Sequence, residues 1–291
     1  MKAGPELNYQ KVGLASGLYF VATPIGTARD ITLRALDILA SADVIAAEDT
    51  RSLRKLMDIH GVPLDGRKPV SYHDHSGSGA RDRLLQALAQ GKSVAYASEA
   101  GMPLIADPGY DLSRQAAQAG YLVTAAPGPS AILAALVLAG LPTDAFFFGG
   151  FLPAAAQARR NRLTELANIP GTLVFYESPN RVGAALNDMV AVLGPDRPAA
   201  LCRELTKKFE EVRRAPLAEL EQSVAASKPK GEIVLLIDRA RSETVSDSDL
   251  ESALRDALKT HSVRDASDLV SGAHNVPRRK VYKLALKLAG G

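Results

Sequence analysis

Val94-Ala95-Tyr96-Ala97 runs directly into Ser98-Glu99-Ala100-Gly101-Met102-Pro103-Leu104-Ile105-Ala106-Asp107-Pro108-Gly109. An apolar run that breaks into glycines and prolines predicts a β-strand followed by a structured loop. In open α/β sheets, ligands bind just beyond the carboxyl ends of the strands. Gly101 permits close approach of the backbone to a ligand, and the prolines restrict the shape of the loop. This loop is therefore the first candidate for a binding site.

Strand and helix patterns alternate on both sides of that loop. Strands of the first half are predicted at 18–22, 44–47, 94–97 and 121–125. Strands of the second half are predicted at 146–148, 173–176, 199–202 and 233–237. This alternation predicts an α/β fold with two α/β domains, each built on a mostly parallel sheet.

Capping residues predict where several helices begin. Asp30 is expected to be the N-cap of a helix over 31–41, because its side chain can accept a backbone N–H of the first turn. The pair Asp107-Pro108 is expected to begin the helix after the loop. Ser178 and Pro179 are expected to fill the same two positions in the second half.

The predicted organisation has four parts. A flexible tail covers 1–16, α/β domains cover 17–127 and 128–238, and a small helical unit covers 248–291. Three short helical patterns with a basic last one make this final unit similar to a helix-turn-helix. A polar linker without periodicity begins at Asp238.

Composition limits the function classes. The 291 residues carry a net charge of +3, which is too weak to indicate nucleic acid by itself. Cys202 is the only cysteine, so neither a disulfide framework nor a cysteine-based zinc site is expected, and no metal is predicted. The longest apolar stretch, 131–141, is shorter than the roughly 20 residues that a membrane span needs. We therefore expect a soluble, cytoplasmic protein.

The common nucleotide-binding fingerprints are missing. Neither a G-x-G-x-x-G turn nor a phosphate-binding P-loop follows the first strand, where Thr23-Pro24-Ile25-Gly26 stands instead. Pro127-Gly128-Pro129-Ser130 opens an apolar helix whose free N–H groups could accept a carboxylate or another anion. The same turn could equally be a hinge between domains.

A series of short motifs resembles the tetrapyrrole methylase superfamily, and within it a branch that acts on ribosomal RNA. The motifs occur in order from about residue 18 to 237. The series includes Thr23-Pro24-Ile25-Gly26, Ala46-Ala47-Glu48-Asp49-Thr50-Arg51, Ser71-Tyr72-His73-Asp74-His75, Asp107-Pro108-Gly109, Pro127-Gly128-Pro129-Ser130-Ala131, Gly150-Phe151-Leu152-Pro153, Phe175-Tyr176-Glu177-Ser178-Pro179, Arg203-Glu204-Leu205-Thr206-Lys207 and Lys230-Gly231-Glu232. The series is specific although no single motif decides it.

The chain departs from the family pattern at four positions. Glu99 and Met102 stand where the family usually has aspartate and threonine. Gly149 stands where glutamate is common, and Asn180 where histidine is common. These departures concern individual cofactor contacts.

The resemblance implies S-adenosylmethionine as the methyl donor, bound in a cleft between the two α/β domains. It also implies a homodimer. Carried over position by position, the implied cofactor contacts are Ile25, Ser98, Glu99, Gly101, Met102, Ser130, Ala131, Tyr176 and Glu232.

The reaction that the resemblance implies is methylation of the 2′-hydroxyl of a cytidine in 16S ribosomal RNA of the small subunit. A base that accepts the hydroxyl proton could add roughly 10²–10⁴-fold to the rate. Candidate catalytic residues are Glu48, Asp49, Glu177 and Lys207, with His73 and Glu204 as further possibilities. Each could instead be an ordinary ion-paired side chain.

The RNA partner requires positive charge, which the chain supplies in local clusters. Candidate RNA-binding residues are Arg51, Arg159, Arg160, Arg203, Arg278, Arg279 and Lys280. The basic final helix could also be an ordinary solvated helix face.

Two other functions remain open: a tetrapyrrole C-methyltransferase, and a ribosome-assembly factor without catalysis.

Overall fold

A computed structural model of the chain describes residues 8–72, 77–106, 109–240, 247–274 and 276–289. The described residues form two units that divide after Arg239. The first contains two five-stranded sheets, and the second is helical. The predicted division of the first unit at residue 127 stays a prediction, although one sheet ends at Ala126 and the other begins at Phe146.

The first sheet is parallel throughout, as the alternating pattern predicts. Its strands are β1 (Gly17–Val21), β2 (Val44–Ala47), β3 (Val70–Ser71), β4 (Ser93–Ala97) and β5 (Leu122–Ala126), in the spatial order β3-β2-β4-β1-β5. Every residue of β1 and β4 is buried, because helices cover both faces of the sheet. A parallel sheet brings the carboxyl ends of its strands to one edge.

Four helices flank this sheet: α1 (Leu33–Ser41), α2 (Thr50–Ile59), α3 (Gly77–Ala89) and α4 (Tyr110–Gln118). Leucines and alanines of α1 and α2 pack on one face, and those of α3 and α4 pack on the other. The predicted cap of α1 is wrong: Thr32 accepts the N–H of Ala35, while Asp30 ends a separate 3₁₀ turn, Ala28–Asp30. The predicted cap of α4, Asp107-Pro108, lies outside the described residues.

The second sheet is mixed, which corrects the expectation of a mostly parallel one. Its strands are β6 (Phe146–Phe151), β7 (Thr172–Glu177), β8 (Pro198–Arg203), β9 (Glu211–Pro216) and β10 (Ile233–Ile237), in the order β6-β7-β10-β8-β9. Only β6 and β7 are parallel. β9 returns beside β8 as a hairpin, and β10 runs antiparallel to both β7 and β8. The start of β10 therefore lies beside the ends of β7 and β8.

Helices also cover both faces of this second sheet. They are α5 (Ala131–Ala139), α6 (Ala156–Leu166), α7 (Val182–Leu193) and α8 (Leu217–Ala226). The helices α6 to α8 pack on one face, while α5 packs on the other together with Ile25 from the first half of the chain. Cys202 of β8 is fully buried beneath α5, and burial raises the pKa of its thiol to about 11.

The predicted cap of α7 is also wrong. The helix begins at Val182, and Ser178 lies four residues earlier in a turn. The carbonyl oxygen of Ser178, rather than its side chain, accepts the N–H groups of Arg181 and Val182. Ser178 and Pro179 are thus left at the end of β7, where they border the site described below.

The second unit consists of α9 (Asp247–Ala257), α10 (Val263–His274) and α11 (Arg278–Ala289). The three helices share a small apolar core that includes Leu250, Leu254, Val270 and Val281. Three short helices are what the sequence predicts for this region. Within the described ranges, no helix is long and apolar enough to cross a membrane.

Candidate active site

One cleft of about 780 Å³ lies where the strand ends of the two sheets of the first unit meet. Segments that follow β1, β2, β4 and β5 border one side. Segments at the ends of β6, β7 and β8 and at the start of β10 border the other. Its volume lies within the range of roughly 300–1,000 Å³ that is typical of small-molecule sites.

The loop after β4 is joined to the turn after β1 by paired backbone bonds. The N–H of Thr23 donates to the carbonyl of Gly101, and the N–H of Gly101 donates to the carbonyl of Thr23, both at 3.0 Å. The Ser98 hydroxyl donates to the Gly101 carbonyl at 2.5 Å, and the Thr23 hydroxyl donates to the Ser98 carbonyl at 3.2 Å. These hydrogen bonds fix the loop after β4 against the turn after β1, and both segments border the cleft.

Gly101 has the backbone conformation that the sequence argument requires. Its φ is +85°, in the left-handed region that side chains other than glycine rarely adopt. A Cβ at this position would lie 3.4 Å from Ile25 Cγ2 and 3.5 Å from the Pro129 carbonyl oxygen. The left-handed backbone therefore favours glycine here, and a Cβ would be in ordinary contact with two other segments of the cleft wall.

Ser130 is the N-cap of α5 at the floor of the cleft. Its hydroxyl makes no capping bond to the first turn of the helix. Ser130 and Ala131 both border the cleft, so the N-terminal N–H groups of α5 are near its interior. A helix N-terminus favours negatively charged groups such as a carboxylate.

Aromatic side chains form part of the opposite wall. Tyr176, near the end of β7, contacts Phe148 and Phe151 of β6 edge-on, with ring centroids 4.9 and 5.7 Å apart. Phe151 is 55% exposed although it borders the cleft. This wall can therefore receive a flat ring.

Glu177 is a buried carboxylate at the last position of β7. Its residue exposure is only 3%. Oε1 accepts the N–H of Ser178 at 2.8 Å and lies 3.4 Å from Arg181 Nε. Oε2 is buried and has no hydrogen-bond partner among the described residues. Glu177 also borders the cleft, so this carboxylate is a candidate acceptor for a group bound there.

Lys207 projects from the loop between β8 and β9 and binds two carboxylates. Its Nζ donates to Glu204 at 3.0 Å and to Glu232 at 2.8 Å. Partial burial works against the charge of Lys207, but these two hydrogen bonds outweigh it and raise its pKa. The bond from Lys207 lowers the pKa of Glu204. Lys207 is therefore protonated at neutral pH and has no lone pair with which to accept a proton.

Two glycines let this loop pack against its neighbours. A Cβ on Gly26 would lie 2.5 Å from Lys207 Cγ, and a Cβ on Gly231 would collide with the Glu204 carboxylate. Thr27 N–H also donates to the Thr206 hydroxyl at 3.1 Å. The loop that carries Lys207 is therefore attached to the turn after β1, on the other side of the cleft.

The cleft is rich in acidic groups. Among the described residues, its lining contains one ammonium, Lys207, and the carboxylates of Glu48, Glu99, Glu177, Glu204 and Glu232. Since Lys207 is already bound to two of those carboxylates, the remaining field favours a positively charged ligand. No cluster of possible metal ligands occurs in the part of the chain that the structure describes.

The structure brings most of the predicted site residues to this cleft. Those that border it are Ile25, Glu48, Glu99, Gly101, Met102, Ser130, Ala131, Tyr176, Glu177, Lys207 and Glu232. Ser98 does not border it, because its hydroxyl is turned to the Gly101 carbonyl. Asp49 caps α2 by accepting the N–H of Arg51, which lowers its pKa. His73 lies outside the described residues.

Two of the predicted RNA-binding arginines have structural partners instead. Arg159 is 5% exposed and binds Asp188 and the carbonyls of Pro153 and Ala154. Arg203 is partly buried and binds Glu211. Both guanidinium groups are therefore engaged within the protein, and their role in RNA binding stays a prediction.

The other predicted RNA-binding residues are more exposed. Arg51 lies 3.5 Å from Asp49, and Arg160 lies 3.5 Å from Asp188. In the second unit, Arg278 pairs with Asp268. Arg279 and Lys280 are exposed on the first turn of α11.

The four residues that depart from the family pattern lie in different environments. A Cβ on Gly149 would collide with the ring of Phe175, so a larger residue does not fit there. The Asn180 side chain accepts a hydrogen bond from Lys228 at 2.9 Å. Glu99 and Met102 both border the cleft. The side chains of Glu99 and Met102 therefore directly affect which ligand the cleft can bind.

Several residues that border the cleft were not predicted from the sequence. They include Gly26, Ser52, Phe151, Gly231 and Val234. Gly26, Phe151 and Gly231 belong to motifs that carry the family resemblance, so a signal for them existed. Ser52 lies on the first turn of α2, and nothing in the sequence indicated which side of that helix faces the cleft.

Two family models match the chain. The first, described as tetrapyrrole (corrin/porphyrin) methylases, matches residues 17–221, and the second, described as RsmI C-terminal HTH domain, matches residues 244–289. The first match covers more than half of the sequence. The chain belongs to the tetrapyrrole methylase family.

Curated relatives match nearly the whole length. Ribosomal RNA small subunit methyltransferase I of Mesorhizobium japonicum is 44% identical over 279 residues, covering 96% of this chain and 89% of the relative. The protein of the same name from Vibrio cholerae is 43% identical over 282 residues, covering 94% and 95%.

Solved structures share the fold at low identity. Cobalt precorrin-4 methyltransferase has a TM-score of 0.57 at 17% identity, covering 76% of this chain and 94% of that one. Diphthine synthase has a TM-score of 0.58 at 17% identity, covering 76% and 89%. These likenesses confirm the α/β fold class and carry no information on substrate.

Proposed function

We propose that this protein transfers a methyl group from S-adenosylmethionine to the 2′-hydroxyl of a cytidine in 16S ribosomal RNA. The observation that carries the proposal is similarity over more than nine-tenths of the chain to proteins named ribosomal RNA small subunit methyltransferase I. The match to a C-terminal helix-turn-helix model supports the same assignment. We further propose that the protein is located in the cytoplasm and forms a homodimer.

The cleft suits S-adenosylmethionine in shape and charge. This cofactor carries a sulfonium and an ammonium, and the acid-rich lining favours positive groups. Its carboxylate could be received by the N-terminal N–H groups of α5 at Ser130. Ile25, Met102 and Ala131 supply apolar surface, and Gly101 allows its backbone to approach the ligand.

When bound, the sulfonium supplies an already activated methyl group. The chain must then hold the ribose oxygen in line with that carbon and remove its proton. Glu177 is the proposed base, because Oε2 is a buried acceptor with no other partner among the described residues. Ser178 N–H and Arg181 hold the other oxygen, which orients the carboxylate.

Three of the other candidate bases fit this role less well. Asp49 accepts N–H groups of α2, and Glu204 is bound to Lys207. Lys207 itself is protonated. Glu48 borders the cleft and is the second candidate after Glu177. Lys207 is proposed to keep Glu204 and Glu232 in place instead of taking part in proton transfer.

Transfer to a tetrapyrrole carbon is the second candidate function, since the family model is named for that chemistry. The curated relatives favour RNA over this alternative. A ribosome-assembly factor without catalysis is the third.

The test uses the full chain with small-subunit rRNA transcribed in vitro, which carries no modifications. The RNA is incubated with the protein and methyl-labelled S-adenosylmethionine, digested to nucleosides and analysed by mass spectrometry. We expect labelled 2′-O-methylcytidine. If rRNA is labelled only on a base, the proposed acceptor is wrong. If neither rRNA nor assembled small subunits are labelled while a porphyrinogen is, the tetrapyrrole alternative replaces the proposal.

A further inference from the structure

The acid-rich cleft restricts how RNA can approach. Among the described residues, five carboxylates border it, and the one ammonium, Lys207, is bound to two of them. Each nucleotide of RNA brings one phosphate charge, which these carboxylates repel. A nucleoside can therefore enter the cleft only if its flanking phosphates stay outside. Those phosphates require cations at the rim.

Helix α2 supplies such cations at the rim. Ser52, on its first turn, borders the cleft. Lys55, three residues after Ser52, lies on the same side of the helix as Ser52, and Arg54, three residues after Arg51, lies on the adjoining side; both are exposed. Neither side chain forms an ion pair or hydrogen bond within the described ranges. Arg51, on the same turn as Ser52, has its guanidinium 90% exposed and only a 3.5 Å contact with Asp49.

A second segment adds Arg29 to this surface. Gly26 borders the cleft, and Arg29 follows three residues later in an exposed 3₁₀ turn. The ring Nε2 of His60, at the end of α2, lies 2.9 Å from the Ala28 carbonyl oxygen. This contact holds the 3₁₀ turn against α2. The side chain of Arg29, like those of Arg54 and Lys55, has no partner in the described structure.

Several other arginines of the first unit are already engaged. Arg159 and Arg203 are bonded internally, and the exposed Arg114 and Arg162 pair with Asp111 and Glu165 on their own helices. The free cations beside the cleft therefore differ from these in lacking a carboxylate partner. An exposed cation without a partner binds a phosphate without first breaking an ion pair.

We propose that Arg29, Arg54 and Lys55, here called the rim cations, bind phosphates of the RNA strand on either side of the target nucleotide. The inference rests on the proposed RNA substrate and adds the surface along which that substrate lies. The strand is single-stranded at this point, because the target nucleotide must leave its neighbours to enter the cleft.

The test compares the wild type with the triple variant Arg29→Ala/Arg54→Ala/Lys55→Ala. Binding to unmodified small-subunit rRNA is measured by filter retention at several salt concentrations. Each phosphate contact on a single strand contributes about 0.7 to the slope of log K against log salt. Loss of three contacts should lower that slope by about 2 and weaken binding roughly 10- to 100-fold near 0.1 M salt.

A matched control removes three exposed cations elsewhere. Lys92 lies at the amino end of β4, the edge of the sheet opposite the cleft, and Arg114 and Arg162 lie on outer helices. The variant Lys92→Ala/Arg114→Ala/Arg162→Ala changes the net charge equally. It should keep at least half of the wild-type affinity and slope. The charge-preserving variant Arg29→Lys/Arg54→Lys/Lys55→Arg should also bind RNA nearly as well as the wild type.

Kinetics separate this inference from the proposed function. In the rim-cation variant we expect the KM for RNA to rise, while kcat at saturating RNA and the Kd for S-adenosylmethionine stay unchanged. Equal losses in both triple variants, or an unchanged salt slope, would overturn the inference even if the wild type methylates RNA. If the wild type binds cofactor but methylates no RNA, the proposed function fails first. Loss of binding to a ribosomal protein alone, with RNA binding intact, would also overturn the inference.

Discussion

The charged residues of this cleft differ most in whether their polar atoms already have hydrogen-bond or ion-pair partners within the protein. Lys207 and Glu204 satisfy each other, whereas Oε2 of Glu177 has no partner in the described structure. A buried acceptor without a partner costs free energy, on the order of 1–3 kcal/mol. Such a cost is understandable if a bound molecule supplies the missing donor.

Replacing Glu177 with glutamine tests this role. The amide oxygen can still accept the Ser178 N–H, but the side chain cannot take a proton. In Glu177→Gln we expect kcat to fall by about 10²–10⁴-fold with the Kd for S-adenosylmethionine nearly unchanged. Glu165→Gln, on the exposed face of α6, is the control. Full activity of Glu177→Gln together with loss of activity in Glu48→Gln would move the base to Glu48.

Substitution of Gly101 tests the proposed cofactor site, because a second glycine with a similar positive φ, Gly120, provides a control with comparable backbone strain. Gly101→Val places a β-branched residue at φ +85° and pushes side-chain atoms towards Ile25 in the cleft wall. Gly120→Val creates similar strain at φ +78°, where the surroundings are open. Both should lose stability, about 1–2 kcal/mol from the left-handed backbone alone. Calorimetry should show lost cofactor binding only in Gly101→Val, and Met102→Thr should bind normally.

The sequence could identify most residues of the cleft but not the state of each charge. Arg159 and Lys55 are both cations on helices, yet one is buried against Asp188 and the other is free. The partner of Arg159 lies 29 residues away, on a different helix. Pairing over that distance depends on packing, which no local pattern encodes.

Among the elements, the β8–β9 hairpin carries the loop that places Lys207 beside the cleft. Glu211, the first residue of β9, accepts hydrogen bonds from Arg213 and Arg203, which lower its pKa from 4.5 to about 2. The carboxylate is therefore more stable in the folded state than in the unfolded state. This contribution to stability is complete above pH 4.5 and is lost as the pH falls towards 2.

Urea unfolding across a pH series tests this assignment. Near neutral pH, Glu211→Gln should be less stable than the wild type. The difference should shrink between pH 4.5 and about 2, as Glu211 becomes protonated. Glu219→Gln, an exposed position on α8, should show no such pH-dependent difference. A constant difference for Glu211→Gln over the whole range would contradict the argument.

Elements were predictable where their periodicity is strong. The buried strands β1, β2, β4 and β10 are continuous apolar runs, and their predicted bounds agree with the structure within a residue. β9 was missed because Glu211-Val212-Arg213-Arg214-Ala215-Pro216 has three charges, and pairing with β8 overrides its low strand propensity. Without β9, the antiparallel character of the second sheet could not be seen.

At the scale of the whole molecule, the two units have separate apolar cores. The proposed cofactor site lies entirely in the first unit. The second unit carries exposed cations on α11, including Arg279, Lys283 and Lys287. We therefore expect that the proposed methyl-donor binding and part of the proposed RNA binding can be lost independently.

Truncation before Asp247 tests that independence. The shortened chain should bind S-adenosylmethionine with unchanged Kd, while methylation of small-subunit rRNA should weaken, chiefly through a higher KM. The full-length variant Arg279→Glu/Lys283→Glu should show the same change if the charge of α11 is responsible. Unchanged rRNA methylation after truncation would rule out a role for this unit in substrate binding.

The buried thiol of Cys202 has a practical consequence. With a pKa of about 11, it keeps its proton at neutral pH and is closed to solvent, so maleimides should scarcely label it. Because it is the only cysteine in the chain, a new one introduced at Arg114, outside the rim cations, could carry a fluorophore without background. A single introduced cysteine can therefore be labelled for spectroscopy without first replacing a native cysteine.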